Sequence, residues 1–197
     1  MSYSVAHELE DGFVERAVEV VVRGQTLQLK YFVGLNENTK KQLLDRWKSE
    51  SGTDTSFANS VEEKTSTFEE AFPKQLSKWI KLEVDALERS LTRVGVEACP
   101  KHHFDLVVEF EYALPADQTV EIKLSDHKFN HWKSAARYSL KGVGATIVAS
   151  TNVAPIIIRS DRIDFEKLSD AERSEKCRIV ATVITPPDRA KNESAFE

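Results

Sequence analysis

Two neighbouring segments in the middle of the chain alternate apolar and polar residues without a break. From Phe104 to Tyr112 every second residue is apolar, and the same period resumes from Val120 to Leu124. A period of two places successive side chains on opposite faces of a strand, whereas a helix needs a period near 3.6. The intervening Pro115–Gln118 has the composition of a turn. These segments predict a sheet with one buried face and one polar face.

The first third of the chain shows the same alternation on both sides of a short turn. Residues Phe13–Val33, interrupted at Gly24–Gln25, predict a β-hairpin. Asn38–Lys48 then suits a short helix. Residues 49–67 are rich in Ser, Thr and acidic side chains and predict a polar loop. Residues 185–197 have no periodic pattern and predict a flexible tail.

Helical spacing of apolar residues predicts two helices in the rest of the chain. Pro73 suits a helix start, and in Lys74–Val94 apolar residues recur at helical intervals up to Gly95. Asn130–Lys141 predicts a second helix, which Gly142 ends.

These elements predict one domain, residues 1–197, in which 68–184 form the core. The order in the core is helix, three strands, helix and strand, which indicates an α/β or α+β fold with a mixed sheet. Residues 1–48, a hairpin plus a helix, and a last strand are additions to this core. The predicted strands after the hairpin are Val96–Cys99, Phe104–Tyr112, Val120–Leu124, Ala145–Ala149, Ile156–Ile158 and Cys177–Ile184.

The composition limits the cellular compartment and the kinds of partner that we expect for this protein. The 197 residues suffice for a hydrophobic core, and no apolar run reaches the 18 residues of a membrane helix. The acidic amino terminus lacks a signal-peptide segment. Cys99 and Cys177 are too few for a disulfide framework, so we expect no disulfide and a reducing compartment, the cytoplasm or the nucleus. A net charge of −5 leaves only local basic surfaces for nucleic acid.

A carboxylate and a lysine share one face of a predicted strand. Glu121 and Lys123 are two residues apart, and the polar face of the preceding strand would bring Asp105 towards them. Two close carboxylates repel each other unless a cation lies between them. Mg²⁺ or Mn²⁺ accepts carboxylate ligands, and a lysine can orient a metal-bound water. This set predicts metal-assisted hydrolysis of a phosphodiester.

The same segments carry a resemblance to a known family. His103–Val108 (HFDLVV) followed by Thr119–Ser125 (TVEIKLS) resembles the PD-(D/E)XK nuclease superfamily, whose restriction-endonuclease-like fold has an αβββαβ core. Lys74–Ala149 would form that core. The resemblance implies a Mg²⁺-dependent endonuclease or exonuclease that cuts DNA, and a homodimer, since many members dimerise. It also implies Asp105 and Glu121 as metal ligands and Lys123 as the catalytic lysine.

Two points about this site follow from other acidic residues. Glu83 falls inside the apolar arc of the first predicted helix, where a carboxylate needs a partner, and many members place a glutamate there. Glu83 is therefore a further catalytic candidate and metal ligand. A tight turn between the two strands places Glu109 or Glu111 across from Glu121. Either a longer loop or a bulge restores Asp105 to that position, or Glu109 replaces it.

A group of basic side chains follows the predicted strand that carries Lys123. Lys133, Arg137 and Lys141 are four residues apart, so they share one face of the second predicted helix. With Lys128 and Tyr138 they form a candidate DNA contact surface. The alternative is a solvated helix face with no ligand.

A zinc site is a weaker alternative for the residues before the first strand of the motif. Cys99, His102 and His103 have the spacing C-x-x-H-H, but zinc needs further ligands, and only the distant His127 and His131 could supply them. No phosphate-binding loop, dinucleotide fingerprint or nucleophile elbow occurs in the sequence.

The main alternative to a nuclease is a non-catalytic binding or assembly subunit on the same or a related scaffold, which includes a viral or phage accessory protein. A cluster of the site residues around a concave opening would favour the nuclease. A Lys123 held by a salt bridge on a flat, exposed sheet would favour the non-catalytic protein.

Overall fold

The computed structural model describes residues 9, 11–51, 67–98, 104–126, 133–148, 163–164, 168–169, 171–172 and 178–187. The helices are α1 (Glu37–Ser51) and α2 (Phe68–Trp79). The strands are β1 (Phe13–Arg23), β2 (Thr26–Gly34), β3 (Ile80–Val84), β4 (Leu87–Arg89), β5 (Thr92–Ala98), β6 (Leu106–Ala113), β7 (Thr119–Asp126), β8 (Lys133–Val143), β9 (Thr146–Val148), β10 (Ile163–Asp164) and β11 (Arg178–Ile184).

The strands form two sheets of an α+β fold. The six-stranded sheet has the order β10-β8-β1-β2-β6-β5, and the five-stranded sheet has the order β4-β3-β7-β11-β9. Neighbouring strands are antiparallel except β1 and β8, which are parallel. The six-stranded sheet is therefore mixed, and the five-stranded sheet is antiparallel.

The two sheets pack through the apolar faces that the alternation predicts. In β1 the inward residues Val14, Val18, Val20 and Val22 are at most 2% exposed. The inward residues of the other central strands belong to the same buried cluster, to which both helices also contribute. Burial of this apolar surface is the main source of stability of the fold.

An aromatic cluster joins the two helices to the core. Trp47 of α1 stacks on Phe68 of α2 with 5.9 Å between ring centroids. Phe72, one turn further along α2, is fully buried and lies 6.3 Å from the ring of Tyr31 in β2. The helices are thereby fixed against the six-stranded sheet.

The hairpin predicted at Phe13–Val33 is confirmed, and so is the helix predicted at Asn38–Lys48. The first hairpin is β1–β2 with its turn at Gly24–Gln25, and the alternating central segments are β6 and β7. However, β6 and β7 do not pair with each other, because they belong to different sheets. The turn at Pro115–Gln118 carries the chain from one sheet to the other.

The predicted helix at Lys74–Val94 is wrong beyond Trp79. The helix begins at Phe68, contains Pro73 and ends at Trp79, after which the chain forms β3, β4 and β5. The residues of β3 alternate between buried and more exposed positions. The positive φ angles of Asp85 and Ala86 are also incompatible with a helix. The apolar residues spaced at helical intervals in this region therefore belong to separate strands.

The predicted helix at Asn130–Lys141 is also wrong from Lys133 onwards. Residues 133–143 form β8, in which Ser134, Ala136, Tyr138 and Leu140 point inward and are nearly fully buried. Pairing with β1 along its whole length satisfies the backbone groups on one edge of β8. Residues 52–66, 130–132, 149–162 and 188–197, which carry part of the loop, helix, strand and tail predictions, lie outside the described residues.

The turn between β3 and β4 carries one strained residue, which provides a test of the fold. Asp85 and Ala86 have φ angles of 50° and 62°, as a two-residue type I′ turn requires. An aspartate tolerates this region, but the Cβ of alanine makes it unfavourable. We expect Ala86→Gly to raise the free energy of unfolding by about 0.5–1 kcal/mol, measured by urea denaturation. Ala113→Gly, at the end of β6, is the control and should lower it. A destabilised Ala86→Gly would contradict this turn geometry.

Candidate functional site

The structure brings together three of the four predicted catalytic residues. Glu83 of β3 and Lys123 of β7 are direct cross-strand partners, and Glu121 lies two residues from Lys123 on the same face. This face of the five-stranded sheet points away from the core. Glu83 is therefore on a strand and not on the predicted helix. Its carboxylate still meets Lys123, because both residues belong to neighbouring strands.

Lys123 and Glu83 form a two-pronged ion pair. Nζ of Lys123 lies 3.0 Å from both carboxylate oxygens of Glu83. The side chains are 33% and 32% exposed, so the pair is partly shielded from water. Each charge is balanced by the other. The pair consequently requires no metal ion to neutralise the carboxylate.

Glu121 is held through its backbone by the neighbouring turn. Its N–H donates to Oδ1 of Asp85 at 2.8 Å, and its carbonyl oxygen accepts from the N–H of Asp85 at 2.9 Å. The side chain of Glu121 is exposed. The contacts of this residue therefore fix the hairpin turn beside it.

Asp105 lies beside the six-stranded sheet. Its Oδ2 accepts from the N–H of Leu35 at 2.9 Å, and its Oδ1 is 3.5 Å from Nζ of Lys40. Burial alone would lower the pKa of Lys40, but the hydrogen bond to Glu37 and the charge of Asp105 raise it above its ordinary value. Asp105 thus joins the end of β2 to the start of α1.

Glu109, the alternative to Asp105, also lies on the six-stranded sheet. Its carboxylate forms an ion pair with Lys30 of the adjacent strand. Neither Asp105 nor Glu109 therefore shares a sheet with Glu121. Within the described residues, no group of three or more His, Cys, Asp or Glu side chains is placed to hold a metal ion. The oxygens of Asp105 and Glu109 are engaged by lysines and a backbone N–H, and these two carboxylates do not converge with Glu121 on one position for Mg²⁺ or Mn²⁺.

The predicted DNA-contact residues divide between the surface and the core. Lys133, Arg137 and Lys141 are exposed and share the outer face of β8, because a spacing of four is even and preserves the face of a strand. Tyr138 points the other way and is 2% exposed, so it is a core residue and not a DNA contact. Lys128 lies outside the described residues, as do Cys99, Cys177 and the four histidines of the zinc alternative.

A buried polar network between the sheets was missed by the sequence analysis. Nη1 of Arg16, in β1, lies 2.5 Å from Oδ2 of Asp126 at the end of β7. The hydroxyl of Tyr31 donates to the same oxygen at 2.7 Å. The space between the sheets here, which Tyr138 also lines, is too narrow for water. The signal in the sequence is an arginine at an inward position of an alternating strand.

Burial and the neighbouring charge set the protonation of this network. Burial alone would lower the pKa of Arg16, but Asp126, with smaller contributions from Tyr138 and Tyr31, raises it above its ordinary value. Burial, together with Asp126, raises the pKa of Tyr31 well above its ordinary value. At neutral pH Arg16 is charged and Tyr31 is a hydrogen-bond donor. The network is therefore an enclosed ion pair that holds the two sheets together.

The chain matches no protein-family model, no curated protein and no solved structure. Neither α1 nor α2 is long and apolar enough to cross a membrane. The geometry of the site itself is therefore the evidence for function.

Proposed function

We propose that the protein is a non-catalytic binding or assembly subunit. The observation that carries this proposal is the ion pair between Lys123 and Glu83 on the outward face of an antiparallel sheet. A lysine that assists hydrolysis must face a metal-bound water or a phosphate. Here both oxygens of Glu83 surround its ammonium group.

The positions of the other acidic residues support the same proposal. Metal-assisted phosphodiester hydrolysis needs carboxylates that converge on one cation. Asp105 and Glu121 lie beside different sheets, and each is engaged in holding a local turn or helix start. A binding protein needs no such convergence, only a stable scaffold and an exposed surface.

A metal-dependent DNA nuclease with a restriction-endonuclease-like core is the second candidate. It is favoured by one observation: Glu83, Glu121 and Lys123 share the outward face of neighbouring strands. In this alternative, a metal ion would have to displace Lys123 from Glu83. A cytoplasmic location and a viral or phage accessory role stay predictions.

Cleavage of plasmid and single-stranded DNA with Mg²⁺ or Mn²⁺ separates these candidates. We expect no cleavage by the wild type and no metal-dependent rise in melting temperature. Lys123→Ala should lower the free energy of unfolding by less than about 1 kcal/mol, since the pair is partly exposed.

Two matched variants make the outcome unambiguous. Glu121→Ala removes the other motif residue, and Lys81→Ala removes an exposed lysine of the same sheet, 3.9 Å from Glu88. Cleavage that persists in Lys81→Ala but disappears in folded Lys123→Ala and Glu121→Ala would overturn the non-catalytic proposal. It would establish the nuclease instead.

A further inference from the structure

The six-stranded sheet presents a broad outer face, which we define as the side chains that point away from the five-stranded sheet. Strand register arranges these side chains in rows across the sheet. One row runs from β8 to β5 through Arg137, Ala17, Phe32, Val107 and Glu97. Its two end residues are exposed and charged, and its middle is apolar.

A second row, about 14 Å further along the strands, has the same organisation. It runs through Lys141, Val21, Gln28 and Glu111. Lys141 is exposed, and Val21 is half-buried. Nε2 of Gln28 donates to Glu111 at 2.9 Å, which fixes the position of that carboxylate. Both rows thus have a cation on β8 and a carboxylate towards the opposite edge.

The whole lower part of this face, from the level of Arg137 to that of Val143, is divided by charge. The half formed by β8 and β1 carries three cations and one carboxylate, a formal charge of +2. The half formed by β2, β6 and β5 carries three carboxylates and one cation, a formal charge of −2. These residues are Arg23, Arg137, Lys141 and Glu19 in the first half, and Lys30, Glu97, Glu109 and Glu111 in the second.

We propose that this outer face binds a second copy of the chain, face to face, about a two-fold axis that runs parallel to the strands between β1 and β2. Rotation about this axis leaves each row at the same position along the strands. It reverses the order of the residues within the row. Lys141 then meets Glu111 of the second copy, and Arg137 lies within about one strand spacing, 4.8 Å, of Glu97. The basic half of each copy covers the acidic half of the other.

The apolar middle of the face is also self-complementary in this arrangement. Ala17 and Phe32 occupy neighbouring strands in one row, so the axis places Ala17 of one copy against Phe32 of the other. Both side chains are half-buried. Interfaces that combine an apolar centre with a charged rim are typical of specific protein association, and opposed charges fix their register.

The size of the face predicts a weak, salt-sensitive dimer. The four strands that overlap, β8, β1, β2 and β6, at about 4.8 Å each and four rows at about 6.8 Å give roughly 19 Å by 27 Å, or about 500 Å² of projected area. A stable interface buries about 800 Å² from each partner, so this face is at the small end of the range. Exposed ion pairs that are separated by about 8 Å or more are screened at physiological salt. We therefore expect dimerisation at micromolar concentrations and low ionic strength.

Two charge-reversed variants test the arrangement. Arg137→Glu with Lys141→Glu makes the face acidic throughout, and Glu97→Lys with Glu111→Lys makes it basic throughout. By multi-angle light scattering, the wild type at 50 mM salt should approach twice its mass of 22.3 kDa as concentration rises, and should revert to monomer at 1 M salt. Each variant alone should remain monomeric, whereas an equimolar mixture should form a heterodimer.

A matched control and three outcomes decide the test. Lys81→Glu with Arg89→Glu makes the same change in net charge on the five-stranded sheet and should dimerise like the wild type. A monomeric wild type at several hundred micromolar and low salt would overturn the proposal. So would variants that dimerise alone, or a mixture that remains monomeric. The dimer rests on the proposed binding function, because it makes a second copy of the chain the binding partner. The experiment measures molecular mass. The absence of a dimer and the detection of DNA cleavage are therefore separate results.

Discussion

Replacing Asp126 with alanine is expected to lower the free energy of unfolding by about 3–5 kcal/mol, because it leaves a buried arginine without its counter-ion. The side chains of Arg16 and Asp126 are 0% and 4% exposed, so water cannot take over the lost interaction. Tyr31 would also lose the acceptor of its hydroxyl. A loss of this size is a large fraction of the 5–15 kcal/mol typical of a folded domain.

Urea denaturation of the variant and of an exposed-pair control measures this effect. Glu109→Ala breaks the ion pair with Lys30, whose side chain is 49% exposed, and should cost less than about 1 kcal/mol. Equal losses for Asp126→Ala and Glu109→Ala would show that the Arg16–Asp126 pair is solvated and would contradict the packing of the two sheets.

An apolar replacement of the whole network should recover most of the loss. Arg16→Met, Tyr31→Phe and Asp126→Leu together remove both charges and the Tyr31 hydroxyl, so neither charge of the Arg16–Asp126 pair is left buried alone. Buried ion pairs replaced in this way are often neutral or more stable. We expect the triple variant to be more stable than Asp126→Ala. This result would show that the network contributes little net stability and that its role is to align β1 and β2 with β7.

The parts of the fold that the sequence predicts are those with an unambiguous period. Alternation identifies β1, β2, β6 and β7, because a period of two fits only an extended strand. It does not identify their partners. The short connection at Pro115–Gln118 favours a hairpin, but β6 and β7 lie in different sheets. Pairing depends on contacts between distant residues, which local periodicity does not report.

A spacing of four residues is ambiguous, and this explains the error at β8. Lys133, Arg137 and Lys141 share a face in a helix, where four is close to one turn, and also in a strand, where four is even. The parallel neighbour β1 lies more than 100 residues earlier and fixes the strand. The shared face of these three residues is therefore confirmed, although the element is a strand and not a helix, and the DNA contact stays a prediction.

The candidate site was predictable only where its members are close in the sequence. Glu121 and Lys123 share a face because they are two residues apart. The ion pair of Lys123 with Glu83 depends on pairing between strands separated by about 40 residues. The contact between Arg16 and Asp126 spans 110 residues. In the sequence, only the inward position of Arg16 indicates this contact. No residue near Arg16 in the sequence identifies Asp126 as its partner.

Phe72→Ala is expected to lower the free energy of unfolding by about 3–5 kcal/mol, because it removes the centre of the aromatic cluster. Phe72 is fully buried, and its ring lies 5.0 Å from Phe68 and 6.4 Å from both Trp47 and Trp79. Its ring also contacts Tyr31, which donates to Asp126. The substitution leaves a cavity between α1, α2 and the six-stranded sheet, and partial collapse cannot restore the lost contacts.

Tryptophan fluorescence during urea denaturation measures this loss, because two of the three tryptophans surround the deleted ring. Phe104→Ala is the control, since Phe104 is only half-buried and contacts one aromatic ring, that of Phe32. It should cost clearly less than Phe72→Ala. Equal losses would mean that α1 and α2 do not depend on the cluster for their position. A larger loss at Phe72 would show that the helices are anchored to the sheet through this residue. Since Phe72 contacts Tyr31 of the buried network, the network and the two helices would then stabilise the same end of the core.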